Sequence, residues 1–267
     1  LGMTITGDAF NVFVFLEISS LATYALISLS TDRRALVASF RYLILGSIGA
    51  TFFVIGIGLL YMMTGTLNMA DMAGRLQPVI GTRTVIAAFA FLSIGLSLKL
   101  ALFPLHLWLP NAYAFAPSFV TAFLAATATK VSVYVFIRFF FTIFGVEFAF
   151  GQYQLDTLIM PLALVGIFVG SLVAVFQQNI KRMLAYSSIA QIGYIMLGVG
   201  FVSQTGLTAA LLHLFNHALM KGALFLAMGC IVYRLGSANF EDLRGLGRRM
   251  PFTTAAFVLG GLSLIGV

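Results

Sequence analysis

Apolar residues run along this chain in long uninterrupted blocks, separated by short polar turns. A helix needs about 20 consecutive apolar residues to cross the hydrocarbon core. Eight stretches qualify: 9–29, 42–64, 83–109, 117–144, 157–176, 184–202, 207–233 and 251–267. Strands of a membrane β-barrel would be ~10 residues long and would alternate in polarity. Runs such as Phe52–Leu60 and Leu158–Phe176 do not alternate. The pattern predicts an all-α, polytopic transmembrane helix bundle.

Composition sharpens this picture. Of 267 residues, 61% are hydrophobic and 9% are charged, with a mean hydropathy of +1.05; a soluble domain carries about 25% charged residues. A soluble globular fold, a disordered segment and a nucleic-acid-binding domain are all excluded. The single cysteine, Cys230, lies inside an apolar run and offers neither a disulfide framework nor a thiolate metal site. No charged leader with a cleavage site opens the chain. It starts at Leu1 and stops within the apolar stretch Gly260–Val267, and so reads as an internal piece of a longer protein.

The net charge of +7 is mostly topological. Alternate connections carry Arg33, Arg34 and Arg41, then Lys181 and Arg182, then Arg234, Arg244, Arg248 and Arg249. The opposite connections carry only Arg75 and Arg83, and the 145–156 segment is acidic, with Glu147 and Asp156. Basic residues favour the cytoplasmic side. The asymmetry therefore places residue 1 outside and the 234–250 loop in the cytoplasm, in a bacterial-type inner membrane.

Four charges remain near the middle of apolar runs: Glu17, Lys99, Lys130 and Lys221. Each costs ~2.5–3.5 kcal/mol at the bilayer centre on insertion scales, or about 10–14 kcal/mol for the set if unpaired. A purely structural bundle has no use for them, because leucine would pack as well. One Glu–Lys pair could be an interhelical staple, but three lysines face one carboxylate. Burial without a counter-ion favours the neutral amine and a neighbouring carboxylate favours the ammonium, which is what a proton relay requires. Arg138, towards the outer end of its span, reads as an interfacial or lumen-lining charge.

His213, His217 and Lys221 follow one another at i, i+4 and i+8. That spacing aligns three titratable groups on one helical face over ~12 Å of membrane depth. A neutral imidazole donates and accepts at once, so the face suits a hydrogen-bonded wire. Two histidines at i, i+4 could also share a metal ion, but no third ligand accompanies them. The third run is interrupted by Pro104, which removes a helical hydrogen bond and clashes with the carbonyl of Leu100, beside Lys99. A broken helix next to a midplane charge is a way to build an ion path. Trp108 is placed to act as an interfacial anchor, and Gly46, Gly49, Gly56 and Gly58 permit close helix packing. No phosphate loop, iron–sulfur ligand set or nucleophile triad is present. Neither a catalytic site nor a cofactor is expected, and no nucleic acid.

Three stretches, taken together, resemble a known family. Lys99-Leu-Ala-Leu-Phe-Pro-Leu-His-Leu-Trp-Leu-Pro-Asn-Ala-Tyr113, continuing through Ala116-Pro117-Ser118 to Lys130, is similar to the signature of antiporter-like membrane subunits. Lys181-Arg-Met-Leu-Ala-Tyr-Ser-Ser-Ile-Ala-Gln-Ile-Gly-Tyr194 and His213-xxx-His217-xxx-Lys221 resemble that family's cytoplasmic turn and its central histidine–lysine helix. Such subunits occur in respiratory complex I, in Mrp-type cation/proton antiporters and in membrane-bound hydrogenases.

The resemblance implies two inverted five-helix repeats, each with a broken helix. Residues 1–150 would hold the first half-channel and 151–267 a truncated second one. It implies that Glu17 is the paired glutamate, Lys99 the broken-helix lysine and Lys130 the connecting lysine, with His213, His217 and Lys221 as central-axis groups. A terminal Lys or Glu of the second half is expected beyond Val267. Leu16, Asn111 and Tyr113 replace the Trp, Asp and His common in complex I subunits, and Phe10-Asn-Val-Phe-Val-Phe-Leu-Glu17 looks closer to the D-type subunits of Mrp antiporters.

The expected function is proton translocation within a multisubunit complex, coupled either to exchange of Na+ or K+ or to quinone reduction by NADH. Partners would be other membrane subunits and the lipid bilayer. The rival expectation is a non-conducting scaffold, in which each midplane lysine is neutralised by a carboxylate.

Overall fold

The computed structural model describes residues 1–266. Seven of the expected runs form helices long and apolar enough to cross a bilayer. They are α2 (Ala9–Ser28), α3 (Arg33–Thr64), α5 (Arg83–Leu100), α7 (Ser118–Ile137, continued as a π-helix over Arg138–Ile143), α8 (Leu155–Val175), α9 (Ile180–Gly200) and α10 (Gln204–Leu235). The eighth run yields the shorter apolar helix α12 (Pro251–Ile265). Between them lie α1 (Gly2–Ile5), α4 (Met69–Leu76), α6 (Leu109–Phe115) and α11 (Leu246–Arg249). Among the described residues there is no strand, only two isolated backbone bridges.

Polar residues at the turns start the helices. Asp8 accepts from the Asn11 amide, Asp32 from Arg34, Asn179 from Arg182 and Ser203 from Gly206, each filling an orphan donor of a first turn. Both 32-residue helices, α3 and α10, end on a left-handed glycine, Gly65 (φ 68°) and Gly236 (φ 74°), a conformation that a Cβ would strain.

These features recur at a constant offset of 171 residues. Asp8 bridges Asn68 as Asn179 bridges Asn239. The Ala9 amide donates to the Leu67 carbonyl as Ile180 does to Ala238, and Met69 donates to Gly7 as Phe240 does to Gln178. Helix α3 begins and ends 171 residues before α10. Four crossings (α3, α5 with α6, α7 and α8) lie between α2 and α9, so the two copies of this arrangement run in opposite senses through the bilayer.

Glycines set the interhelical distances. A Cβ on Gly95 of α5 would sit 2.8 Å from the Gly49 carbonyl oxygen of α3, and one on Gly193 of α9 would sit 2.8 Å from that of Ala163 in α8. Gly46 and Gly56 also face close neighbours, whereas Gly58, expected to do the same, opens onto free space.

Candidate functional site

The third run is a broken helix. Helix α5 stops at Leu100, the residue whose carbonyl Pro104 would strike, and Ala101 turns left-handed (φ 62°). The chain resumes as α6 only at Leu109, so the expected continuous span 83–109 is two helices and a linker. The exposed carbonyls of the break are satisfied locally: Leu102 donates to Ser97 and Ala101 to Leu98.

Trp108 completes this cap and corrects the expectation of an interfacial anchor. Its ring is buried, and its Nε1 donates to the Leu98 carbonyl at 3.0 Å. The indole stacks on Tyr42 at 4.1 Å and 6°, and Tyr42 meets Tyr24 edge-on at 4.7 Å. An indole whose N–H has an internal acceptor has no need of the interface.

This cap presents Lys99. The residue lies in the last turn of α5, where the partial negative charge of the helix end favours an ammonium. Its Nζ sits 3.2 Å from Glu17 Oε1 and 3.0 Å from Ser20 Oγ, both on α2. The lysine side chain is 4% exposed and the glutamate 24%, so the carboxylate occupies the more open side of the pair.

Lys130 lies buried in α7 and donates to the Ala125 carbonyl at 2.5 Å. Helices α7 and α10 are antiparallel neighbours: Ser118 lies opposite Gly229 and Ala126 opposite Gly222. One turn further along α7 and one turn back along α10, Lys130 comes level with His217. On α10 the rings of His213 and His217 are parallel, 6.0 Å apart. His213 Nε2 is 2.5 Å from Gln191 Oε1, while both ring nitrogens of the fully buried His217 are without a partner among the described residues. Lys221, also fully buried, donates to the Leu184 carbonyl of α9 at 2.8 Å and to the Ser187 hydroxyl. Among the described residues, Lys130 and Lys221 have no carboxylate within ion-pair distance.

The structure thus brings Glu17 and Lys99 together, and gathers Lys130, His217 and Lys221 along the α7–α10 contact. His213 points instead to α9. Arg138 donates to the Thr6 carbonyl at 2.8 Å, a tie to the chain's first turn. Two buried basic residues were not anticipated. His106, in the linker, is buried with Nδ1 unpartnered and lies over Phe103; its position two residues after Pro104 was the available signal. Lys181, expected in a solvated loop, is buried and donates to the Ala116 carbonyl at 2.8 Å.

The transmembrane family described as NADH:quinone oxidoreductase/Mrp antiporter matches residues 6–267. The chain belongs to this family. It is 48% identical over its full length to the N-type subunit of the NADH-quinone oxidoreductase of Desulforudis audaxviator, and 34% identical over 266 residues to the D-type subunit of the Na+/H+ antiporter of Alkalihalophilus pseudofirmus. Both branches of the expected resemblance, complex I and Mrp, are therefore represented among its relatives. It spans about half of each relative, 53% in both cases. A chain of the membrane-bound sulfane sulfur reductase, an archaeal respiratory membrane complex, superimposes with a TM-score of 0.91 at 38% identity, covering all of this chain and 54% of that one. The family and the seven apolar helices make this an integral, multi-pass membrane protein, and its relatives are subunits of larger complexes.

Proposed function

We propose that this chain is a proton-translocating unit of a multisubunit membrane complex. The observation that carries the reading is the set of buried lysines on three facing elements, of which Lys99 alone has a carboxylate partner among the described residues. A scaffold would neutralise its buried charges, because an unpaired ion in hydrocarbon is costly. Lys130 and Lys221 rest instead on carbonyl and hydroxyl oxygens, which accept a hydrogen bond from either protonation state of the amine. Such sites load and release protons without leaving a bare charge behind.

In this reading protons enter at the Glu17–Lys99 pair, pass Lys130 and reach the Lys221, His217 and His213 face of α10. They leave through the second half of the full-length subunit. The two half-channels divide near residue 150, with residue 1 on the outer side of a bacterial-type inner membrane. The 171-residue recurrence in opposite senses supports this division. Other membrane subunits of an antiporter or respiratory complex flank it. The driving reaction is exchange of Na+ or K+, in keeping with the name of the Na+/H+ antiporter relative, or quinone reduction by NADH, in keeping with that of the NADH-quinone oxidoreductase relative.

The energies match. One charge crossing 100 mV is worth about 2.3 kcal/mol, and one pKa unit about 1.4 kcal/mol. A change in the Glu17–Lys99 distance that shifts the lysine's proton affinity by about two units therefore suffices to gate transfer. The test is Lys99→Ala in the full-length subunit within its complex, with proton uptake followed in inverted vesicles. Loss of proton-coupled transport with assembly intact is expected. Unchanged transport would overturn the reading.

A further inference from the structure

Lys181 is not where its sequence position would put it. It is the second residue of α9, next to Arg182, and is 5% exposed. The first turn of a helix carries partial positive charge, so a buried ammonium there is disfavoured twice, by the dipole and by desolvation. No carboxylate lies within ion-pair distance of it among the described residues. Among the described residues its one bond is to the Ala116 carbonyl, turned out of the helix between α6 and α7 and shared with the Thr121 hydroxyl. A glutamine or serine could tie down that carbonyl without any charge.

The surroundings say what the charge is for. Lys181 lines a cavity of about 680 Å³ on the side that the proposed orientation makes cytoplasmic. Asp32, Arg34 and Arg182 line the same cavity. Asp32 is already engaged: the Arg34 guanidinium holds it at 2.7 Å and keeps its carboxyl below the usual carboxylate range. Arg182 stays permanently charged. Among the described residues of this lining, Lys181 is therefore the uncommitted proton-exchanging group that is withdrawn towards the interior. One helical turn inward along α9, ~5 Å, the Leu184 carbonyl holds Lys221, and the Ser187 hydroxyl of the following turn bonds the same ammonium. Beyond it stand His217 on α10 and Lys130 on α7.

We infer that Lys181 is a proton-loading group at the floor of a cytoplasmic vestibule, loading Lys221 directly in a cycle that also requires the Glu17–Lys99 pair. The inference rests on the proton-translocating reading above. Bulk water delivers a proton to the Lys181 amine, forming the ammonium. The ammonium releases it inward through intervening water to the Ser187 hydroxyl, which accepts one proton and donates another to the Lys221 amine; Lys181 and Ser187 return to their starting states and Lys221 is left as the ammonium. Burial of the loaded ammonium, without a carboxylate partner among the described residues, favours release.

The experiment uses the full-length subunit in its complex, with Cys230→Ser as background and Lys181→Cys introduced. In inverted vesicles the cytoplasmic face is treated with aminoethyl methanethiosulfonate, which rebuilds an amine on the cysteine, or with methyl methanethiosulfonate, which leaves a neutral cap. Proton-coupled transport falls roughly tenfold or more in the cysteine variant, and only the amine adduct restores it. Full transport by the cysteine variant, or equal transport by the two adducts, overturns the inference. Should the cysteine variant not assemble, Lys181→Gln decides. Its amide keeps a donor for Ala116, so loss of transport supports a proton carrier and retention refutes it. Lys99→Ala runs in parallel: if that variant still transports, the underlying reading fails first, whereas an inactive Lys99→Ala beside an active Lys181→Gln removes only this entry.

Discussion

Two regions of the molecule share a backbone plan and differ in chemistry. In the first, α2, α3 and α5 carry Glu17, Ser20, Tyr42, Gly46, Ala50 and Lys99. In the second, at the 171-residue offset, α9 and α10 place Ser188, Gln191, His213, His217 and Lys221 at the positions matching the first five of these. The first region puts its charges on α2 and α5, pairs them, and fills α3 with an aromatic ring and small residues. The second puts its titratable groups on α10 and leaves α9 neutral there. An ion pair holds a proton firmly, because each partner stabilises the charged form of the other. Amines resting on carbonyls hold it loosely. The difference teaches that one backbone plan, used in either sense of crossing, carries a paired set of charges in one region and carbonyl-bound amines in the other.

Removing the loosely held amine should have the largest effect. Lys221→Met keeps the volume, leaves the Leu184 carbonyl within its own helix and deletes the amine proposed to carry the proton. In the assembled complex, proton uptake is expected to fall about 100-fold, in the range of a lost acid–base group, with assembly on native gels unchanged. Retained uptake would mean that the second region conducts through α9 or not at all.

The scaffolds can be compared directly. A Cβ on Gly95 would lie 2.8 Å from the Gly49 carbonyl oxygen and 2.9 Å from the Phe53 nitrogen, both backbone atoms that cannot swing away. A Cβ on Gly260, at the α10–α12 contact of the second region, would meet the Leu224 side chain at 3.1 Å. Gly95→Ala is expected to destabilise the full-length subunit by about 1–3 kcal/mol, as overpacking does, and Gly260→Ala by less. Thermal unfolding of the purified variants reads the order, and a reversed order would show that α12 is the tighter contact.

Glu17→Gln addresses the first region's pairing. The amide still accepts a hydrogen bond from Lys99 but no longer stabilises its charge. Proton uptake should fall about tenfold, which corresponds to one unit of lost proton affinity, and Ser20 should keep Lys99 in place. If Gln at position 17 changes nothing, the pair is a staple and the comparison between paired and unpaired amines loses its meaning.

Much of this was legible in the chain, for identifiable reasons. Bilayer thickness imposes long apolar runs, so seven helices stand where those runs do. The pairing of Glu17 with Lys99 is what the family resemblance implies; the apolar pattern marks Glu17 as a carboxylate deep in a span but does not say which of three lysines it meets. Pro104 announced the break, but the stop at Leu100 depends on left-handed Ala101 and on the Trp108 indole, a tertiary contact that no local pattern carries. Lys181 was hidden because a lysine beside an arginine at a helix start reads as solvated. Only the α6–α7 junction folding over it makes it buried. The 171-residue recurrence was hidden too, because the matching positions hold dissimilar residues and the shared signals are single caps such as Asp32 and Ser203.

The smallest effect should come from the second region's counterpart of Glu17. Ser188 is 1% exposed, and its hydroxyl donates to the Leu184 carbonyl of its own helix at 3.0 Å. Such back-bonding adds little to a helix, and alanine is the better helix former. The lost hydrogen bond, about 1 kcal/mol, is offset by that propensity and by the Ser187 hydroxyl and Lys221 ammonium, which bond the same carbonyl. Ser188→Ala is therefore expected to change stability by no more than about 0.5 kcal/mol and to leave proton uptake within a factor of about two. The same position on the two scaffolds would then be decisive in one region and silent in the other. A large loss of uptake in Ser188→Ala, with stability unchanged, would instead put a working polar group on α9, and the two regions would differ in the identity of their relay residues and not in which helix carries them.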